Sequence, residues 1–435
     1  MDLFQELEWR GLVHDASQGV QSALAGGPLT LYAGFDPTAE SLHVGSLLPL
    51  ITLARFQRAG HTPIALGGGG TGLIGDPSGK IHERTLLSPE DVSRNLAGIR
   101  RQMAHFLDFD RSPNAALLLD NAEWLTRIGF IDFLRDVGKH FTVNAMLAKE
   151  SVKRRLSSEE GISFTEFSYM LLQAYDYLVL HERHGCVLQI GGSDQWGNIT
   201  AGMELIRRIH GRHVHGLTFP LLTTAAGTKF GKTEEGAVWL DPRRTSPFKF
   251  HQYFLNTDDR DVVGLLKKLT FLERGDVEDL ERSVREEPEK RRAQRALATH
   301  LTDLVHGVEA RRRAEHAAGV LFSEELMELP VEELMGIFDD VPSIGVRKEE
   351  VAGEGLPLFD LLARTDLAAS RGEARRLVKG GGVYLNNRRV TDAEAKVTLQ
   401  DAVGGVLFIF RRGKKSWFLV KIDEHSEHGG APAAG

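Results

Sequence analysis

The stretch Leu31-Tyr32-Ala-Gly34-Phe-Asp36-Pro37-Thr-Ala-Glu-Ser-Leu-His43-Val-Gly45-Ser46-Leu-Leu-Pro49 decides how this chain folds. It starts within an apolar run, Leu29 to Ala33, of strand length. Gly34 lets the backbone turn, and Pro37 ends the strand. His43-Val-Gly-Ser46 then opens a helix, expected over Leu47–Arg58, where apolar residues recur at helical spacing. A strand thus delivers Tyr32 and Asp36 to its carboxyl end, and a helix N-terminus faces them with His43 and the bare Gly45. Unpaired N–H groups and partial positive charge at a helix N-terminus suit a phosphate. Gly45 is expected to leave room for a flat ring or a phosphate. A lone histidine at such a place more often caps or packs the helix start than binds a ligand, so His43 needs support from other stretches.

Outward from this stretch the same alternation continues. Leu29–Phe35, Thr62–Leu66, Ala115–Leu119 and Val187–Ile190 read as short buried strands. Helical patterns separate them at Leu47–Arg58, Glu90–Phe106, Ile131–Val137, Thr165–His181 and Ile199–His210. The fold class is therefore α/β, a doubly wound, Rossmann-like, mostly parallel sheet with helices on both faces. Ligands bind beyond the carboxyl ends of such strands. The unusual residues sit there each time: Asp36, the glycine loop Gly67–Asp76, Asp120-Asn121, and Gly191–Asn198.

The chain is long enough, at 435 residues, for two or three domains. Its single cysteine, Cys186, excludes an internal disulfide framework and fits a reducing cytoplasm. The acidic amphipathic start is unlike a signal or transit peptide, and no apolar run reaches membrane-spanning length. Charge is uneven. The segment Leu356–Ile422 carries about +7 and the remainder about −14. An acidic body with a basic end piece points to a polyanionic partner for that end piece.

Two glycine motifs mislead. Gly70-Thr-Gly72-Leu-Ile-Gly75 matches a dinucleotide fingerprint, but Asp76-Pro77-Ser78-Gly79 breaks the helix that fingerprint requires. These glycines are expected instead to let a ligand lie against the backbone, with Asp76 at the loop's end. Ala226-Gly-Thr-Lys229-Phe-Gly-Lys232-Thr233 approximates a P-loop, yet the following Glu234-to-Pro242 segment leaves no room for the helix. Two lysines three apart on a glycine-containing loop can instead close over a triphosphate. In Tyr169-Met-Leu-Leu-Gln173-Ala-Tyr-Asp176, spacings of four and three put Tyr169, Gln173 and Asp176 on one helix face. A buried carboxylate needs a partner, so a ligand donor is expected at Asp176. The alternative is an internal hydrogen-bond network.

Together these stretches resemble class I aminoacyl-tRNA synthetases, and among them the bacterial-type tyrosyl-tRNA synthetases. His43-Val-Gly-Ser46 resembles their first signature with its second histidine replaced by Ser46, and Lys229-Phe-Gly-Lys232-Thr233 resembles their second. The resemblance implies that Tyr32 and Asp176 bind the phenol hydroxyl of tyrosine, and Asp36 is counted among the tyrosine-binding residues. It implies that Asp76, Tyr169 and Gln173 hold the ammonium group and that Gln195 lies near the carboxylate. It assigns ATP to His43, Gly45, Ser46, Asp194, Lys229, Lys232 and Thr233. Lys80 and Arg84 are weaker candidates for pyrophosphate or tRNA. The C-terminal piece resembles a small RNA-binding domain, with Arg371, Arg375 and Arg376 as candidate tRNA contacts.

The expected reaction is tyrosine plus ATP giving tyrosyl-adenylate and pyrophosphate, then transfer to the 3′ end of tyrosine tRNA. ATP is a substrate arriving with Mg²⁺, and no fixed metal site is expected. A homodimer is implied, with the apolar Ile128–Phe141 segment as one candidate surface. The expected domains are 1–247 catalytic, 248–340 helical and anticodon-binding, 341–355 linker, 356–422 RNA-binding and 423–435 a disordered tail. A tryptophanyl-tRNA synthetase shares both signatures, but an indole offers one N–H donor, whereas the Tyr32 and Asp176 pair suits a hydroxyl. A regulatory RNA-binding protein without catalysis would not need Lys229 and Lys232.

Overall fold

The computed structural model describes residues 2–78, 86–110, 113–157, 161–233, 236–320, 330–338, 341–365, 367–392, 394–413 and 416–423. The chain forms two compact units, residues 1–245 with 252–307, and residues 246–251 with 308–435.

The first unit is built on a six-stranded sheet. Its strands are β1 (Asp15–Ala16), β2 (Thr30–Phe35), β3 (Thr62–Gly67), β4 (Leu117–Asp120), β5 (Cys186–Gly192) and β6 (His215–Phe219), in the order β1-β6-β5-β2-β3-β4. β2 to β6 run parallel and β1 pairs antiparallel at the edge. The four expected strands form. β6 and β1 did not stand out in the sequence, because His215-Gly-Leu-Thr-Phe219 has no sustained apolar run and β1 has only two residues. The chain moves outward from β2 through β3 to β4, then returns to place β5 on the other side of β2. The order therefore reverses between β2 and β5, and their carboxyl ends form the crevice where an open parallel sheet binds ligands.

The Leu47–Arg58 helix is buried almost all round, from Leu50 to Gln57 without a break. A helix buried on every side needs cover beyond the sheet. The following helices supply it. Arg10 donates to the carbonyls of Lys267, Thr270 and Leu272 at 2.9, 3.3 and 2.8 Å, and Arg55 donates to Thr270 at 2.6 Å. Both arginines are 4% exposed. These buried bonds hold the Asp259–Leu269 helix and the turn after it onto the sheet unit. Of the expected helical domain 248–340, residues 252–307 cluster with the sheet unit, whereas residues 248–251 and those from Val308 on cluster with the second unit.

The second unit holds a five-stranded sheet in the order Arg388–Arg389, Val383–Leu385, Leu407–Arg412, Ser416–Asp423, Ser343–Arg347. Residues 341–355, expected as a linker, instead supply its edge strand, which pairs parallel with Ser416–Asp423. Val346 and Val351 are buried in the same core as Leu361, Phe408 and Val420. The strand was hidden in sequence because an edge strand bonds on one side only, and Pro342 and Gly345 read as loop residues. Ala317, Leu334, Ile337 and Phe338 pack with Leu407, Ile409 and Leu419. Asp423 is paired in the last strand. The rest of the expected tail, 424–435, lies outside the described residues.

Candidate active site

A cavity of about 330 Å³ opens at the carboxyl ends of β2 and β5. Its wall brings together Tyr32, Asp36, His43, Gly45, Ser46, Asp76, Tyr169, Gln173, Asp176, Asp194 and Gln195. Residues from four separate stretches of sequence thus converge on one crevice. The helix Phe164–His184 contributes its expected face. Ser163 caps its start by accepting from Glu166 N at 3.3 Å, and Gly185 ends it at φ 61°.

At one end lie Tyr32 and Asp176, 1% and 2% exposed. The Tyr32 hydroxyl is buried with no hydrogen-bond partner among the described residues. Burial, then the Asp176 charge, holds that phenol well above its usual range, so it stays protonated. Asp176 differs from expectation. It accepts from Asn121 Nδ2 at 2.9 Å and from Trp124 Nε1 at 2.7 Å. The internal network is therefore present, and a ligand hydroxyl would join it rather than replace it. Burial outweighs these two bonds and raises the Asp176 carboxyl to about 8. The sequence places Asn121 at a strand's carboxyl end, but not its contact with Asp176 or the part played by Trp124, because nothing in their local spacing announces a contact with residue 176.

Asp36 and Tyr169 meet directly. The Tyr169 hydroxyl donates to Asp36 Oδ2 at 2.8 Å, and Thr71 Oγ1 donates to Oδ1 at 2.8 Å. Burial and the neighbouring Asp36 and Asp76 charges keep the Tyr169 phenol protonated. Asp76 accepts from its own loop at Ser78 N, 2.9 Å, and from Gln195 Nε2 at 2.6 Å. Gln173 Nε2 donates to Gln195 Oε1 at 3.2 Å.

The glycine readings are corrected in part. A methyl at Gly68 would overlap the Asp36 carboxylate and Thr71 Oγ1, and one at Gly69 would overlap Asp120. At Gly70 it would meet Leu125, and at Gly72 it would meet Pro37. At these four positions the space a Cβ would take is held by the protein's own side chains, while Gly68 also lines the cavity. Gly45 is similar. His43 Nδ1 accepts from Gly45 N at 3.0 Å, and a methyl at residue 45 would stand 2.7 Å from the His43 ring. His43 thus caps the helix start while its residue also lines the cavity.

The loop bearing Lys229 is tied to the His43 segment. Val44 N donates to Val238 O and Leu240 N to Leu42 O, at 2.9 and 2.8 Å. Val238 N donates to Gly231 O at 3.0 Å, and Gly231 N to the Tyr253 hydroxyl at 2.9 Å. Lys229 is exposed. Lys232 and Thr233 form a short strand paired with Gly236–Ala237. Lys80 and Arg84 lie outside the described residues. In the second unit, Arg371, Arg375 and Arg376 are exposed on the Arg371–Lys379 helix. Arg371 pairs with Asp360 at 2.5 Å, and Arg375 reaches Glu394 at 3.3 Å and lies 4.1 Å over Phe359. Among the described residues no group of three His, Cys, Asp or Glu could hold a metal ion. No helix among them is long and apolar enough to cross a membrane.

Known proteins share this architecture. Residues 24–323 match the family of class I tRNA synthetases for tryptophan and tyrosine, and residues 333–420 match the tyrosine–tRNA ligase C-terminal domain. The tyrosine–tRNA ligase of Roseiflexus castenholzii is 54% identical over 97% of this chain and 99% of its own length. That of Bacillus caldotenax is 52% identical over 97% of this chain and 100% of its own. The crystal structure of a C-terminally truncated Aspergillus nidulans mitochondrial tyrosyl-tRNA synthetase superposes with a TM-score of 0.67 at 31% identity, covering 73% of this chain and 93% of that one. A cavity at the β2–β5 reversal, a helix start beside it and relatives matched from end to end agree, and the chain belongs to the tyrosine–tRNA ligase family.

Proposed function

We infer that this chain activates tyrosine with ATP and ligates it to tyrosine tRNA. The observation that carries the choice of amino acid is the buried, unpartnered Tyr32 hydroxyl lining the same cavity as Asp176. A phenol hydroxyl both donates and accepts, so it satisfies both groups at once. The indole of tryptophan has one donor only.

The residue roles proposed are those the resemblance implies, supported by the convergence of most of these residues on one cavity. Tyr32 and Asp176 take the phenol, and Asp36 holds Tyr169 in position. Asp76, Tyr169 and Gln173 take the ammonium, and Gln195 lies by the carboxylate. His43, Gly45, Ser46 and Asp194 line the same cavity and take ATP. Lys229, Lys232 and Thr233 act on the leaving pyrophosphate. The substrate carboxylate itself attacks the α-phosphate, so no protein nucleophile is needed. Catalysis is positioning plus electrostatic stabilisation of the phosphates. Mg²⁺ arrives on ATP, whose phosphate oxygens suit this hard cation.

The 252–307 helices are proposed to meet the anticodon arm, and the basic C-terminal unit a further part of the tRNA. The protein is proposed to work in the cytoplasm as a homodimer. The expected apolar surface at Ile128–Phe141 carries Phe130 and Ile131, 66% and 71% exposed. Val143 and Phe164 are also exposed, 60% and 71%. Pyrophosphate exchange measured with each amino acid tests the reading. Tyrosine alone should support exchange, and exchange driven by tryptophan instead would overturn it.

A further inference from the structure

Asn198 does not line the cavity, yet it touches the residues that do. It sits in the first turn of the Trp196–His210 helix and is 4% exposed. Its Nδ2 faces four oxygens: Gln173 Oε1 at 3.0 Å, Gln195 Oε1 at 3.3 Å, Ser78 Oγ at 3.4 Å and Asp76 Oδ1 at 3.5 Å. One NH₂ has two protons. The two nearer contacts, both to glutamine oxygens, are therefore the ones it satisfies best.

The consequence is one of direction. A glutamine amide can turn end for end with little change in shape, but its donor and acceptor then exchange places. Here neither glutamine can turn alone. Asn198 donates to Gln173 and Gln195, Gln173 donates to Gln195, and Gln195 donates to the Asp76 carboxylate. Turning Gln173 would set its NH₂ against the NH₂ of Asn198. Turning Gln195 would set its oxygen against Asp76. The relay has a donor fixed at one end and a charged acceptor fixed at the other.

We propose that Asn198 is a positioning residue that sets the polarity of the Gln173–Gln195–Asp76 relay, and so decides which atoms those residues present to the ammonium and carboxylate of tyrosine. This rests on the assignment of Gln173, Gln195 and Asp76 to the amino-acid end of the substrate. Asn198 never touches substrate. Its effect should appear in tyrosine binding and leave ATP binding alone.

Three variants in the full-length enzyme test it, with KM for tyrosine and for ATP read from pyrophosphate exchange. Asn198→Ala removes the donor and leaves space. Asn198→Asp keeps the size and shape but replaces the donor with an acceptor. Gln173→Ala removes a member of the relay. A residue that merely fills space would tolerate Asp better than Ala. A residue that sets polarity would tolerate Asp worse. We expect the tyrosine KM to rise about tenfold in Asn198→Ala, the loss of roughly one hydrogen bond, and further in Asn198→Asp, with the ATP KM within about twofold of wild type. The Asn198→Asp defect should ease as pH falls, because an acid beside Asp76 is readily protonated and then regains a donor. If Asn198→Ala does not fold, Asn198→Asp decides by its pH profile: a tyrosine KM independent of pH overturns the proposal. A near-wild-type tyrosine KM in Asn198→Asp, with Gln173→Ala raising it, overturns the proposal alone. If Gln173→Ala also leaves the tyrosine KM unchanged, the assignment of the amino-acid end fails and the proposal with it.

Discussion

Gly231 lies directly on Val44. A methyl at residue 231 would overlap Val44 Cγ2 and stand 3.5 Å from Gly45 N, and the backbone holds φ at 85°. The glycine between the two lysines of one signature is therefore a packing surface for the other signature. A side chain here meets both a steric wall and an unfavourable φ. Gly231→Ala is expected to slow tyrosyl-adenylate formation by about tenfold or more with little change in tyrosine affinity. Stopped-flow adenylate formation beside equilibrium tyrosine binding checks it, and an unchanged rate would show that the loop does not depend on this contact.

Lys232→Ala should slow the same step further, by about 10²–10³. Its charge matters as the pyrophosphate leaves, so tyrosine binding should barely move. Wild-type adenylate rates in this variant would remove Lys232 from the mechanism.

Asp176 gives stability a pH dependence whose sign can be worked out. Burial raises its carboxyl to about 8 in the folded protein, whereas an unfolded chain releases that proton at about 4. Between those values the folded state holds a proton that the unfolded state has lost. This contribution is fully present below about 4 and is lost as pH rises towards 8. Asp176→Asn cannot titrate. Its melting temperature relative to wild type should therefore climb between pH 5 and pH 8.5, whatever constant offset the substitution brings. A flat difference across that range would mean that Asp176 stays ionised.

The same residue should govern specificity. A site built around a hydroxyl leaves its own polar groups unpaired when the hydroxyl is missing, a discrimination for which this enzyme family is itself the standard illustration. Phenylalanine should be rejected without any editing step, and Asp176→Ala should abolish tyrosine binding or folding. Phenylalanine-driven exchange at the tyrosine rate in wild type would refute the pocket assignment.

The division of the chain sets where to cut it. A break near Gly353 would strand Ser343–Arg347 without Ser416–Asp423, so the cut belongs before the C-terminal domain. A chain ending at Gly307, where the first unit ends, should keep pyrophosphate exchange and lose most tRNA charging. Charging by the full chain should fall steeply with added salt, because the basic segment meets phosphates. Equal charging by both chains would leave the second unit without a role in tRNA binding.

Much of this was readable from local pattern. The strand before Asp36, the helix after Ser46 and the shared face of Tyr169, Gln173 and Asp176 all follow from spacing a few residues long. What stayed hidden depends on partners far away in sequence. Asn121 and Trp124 reach Asp176, and Asn198 reaches Asp76, only once the sheet has formed and brought the loops at its carboxyl ends together. The glycines show the other limit. A glycine announces that a side chain is absent, but not whether a ligand or the Asp36 carboxylate fills the space. The 343–347 strand was missed because its partner comes about seventy residues later, beyond the reach of any local period.

That pairing also inverts the usual meaning of a chain end. Ser416–Asp423 comes last in chain order among the strands of this sheet, yet it lies between Leu407–Arg412 and Ser343–Arg347 rather than at the rim. On the ribosome, the first-made strand must wait with its bonding edge open until the final strand emerges. A message that stops before Ser416 would not trim this sheet but remove a strand from within it, leaving two unjoined edges for the cell's proteases to find.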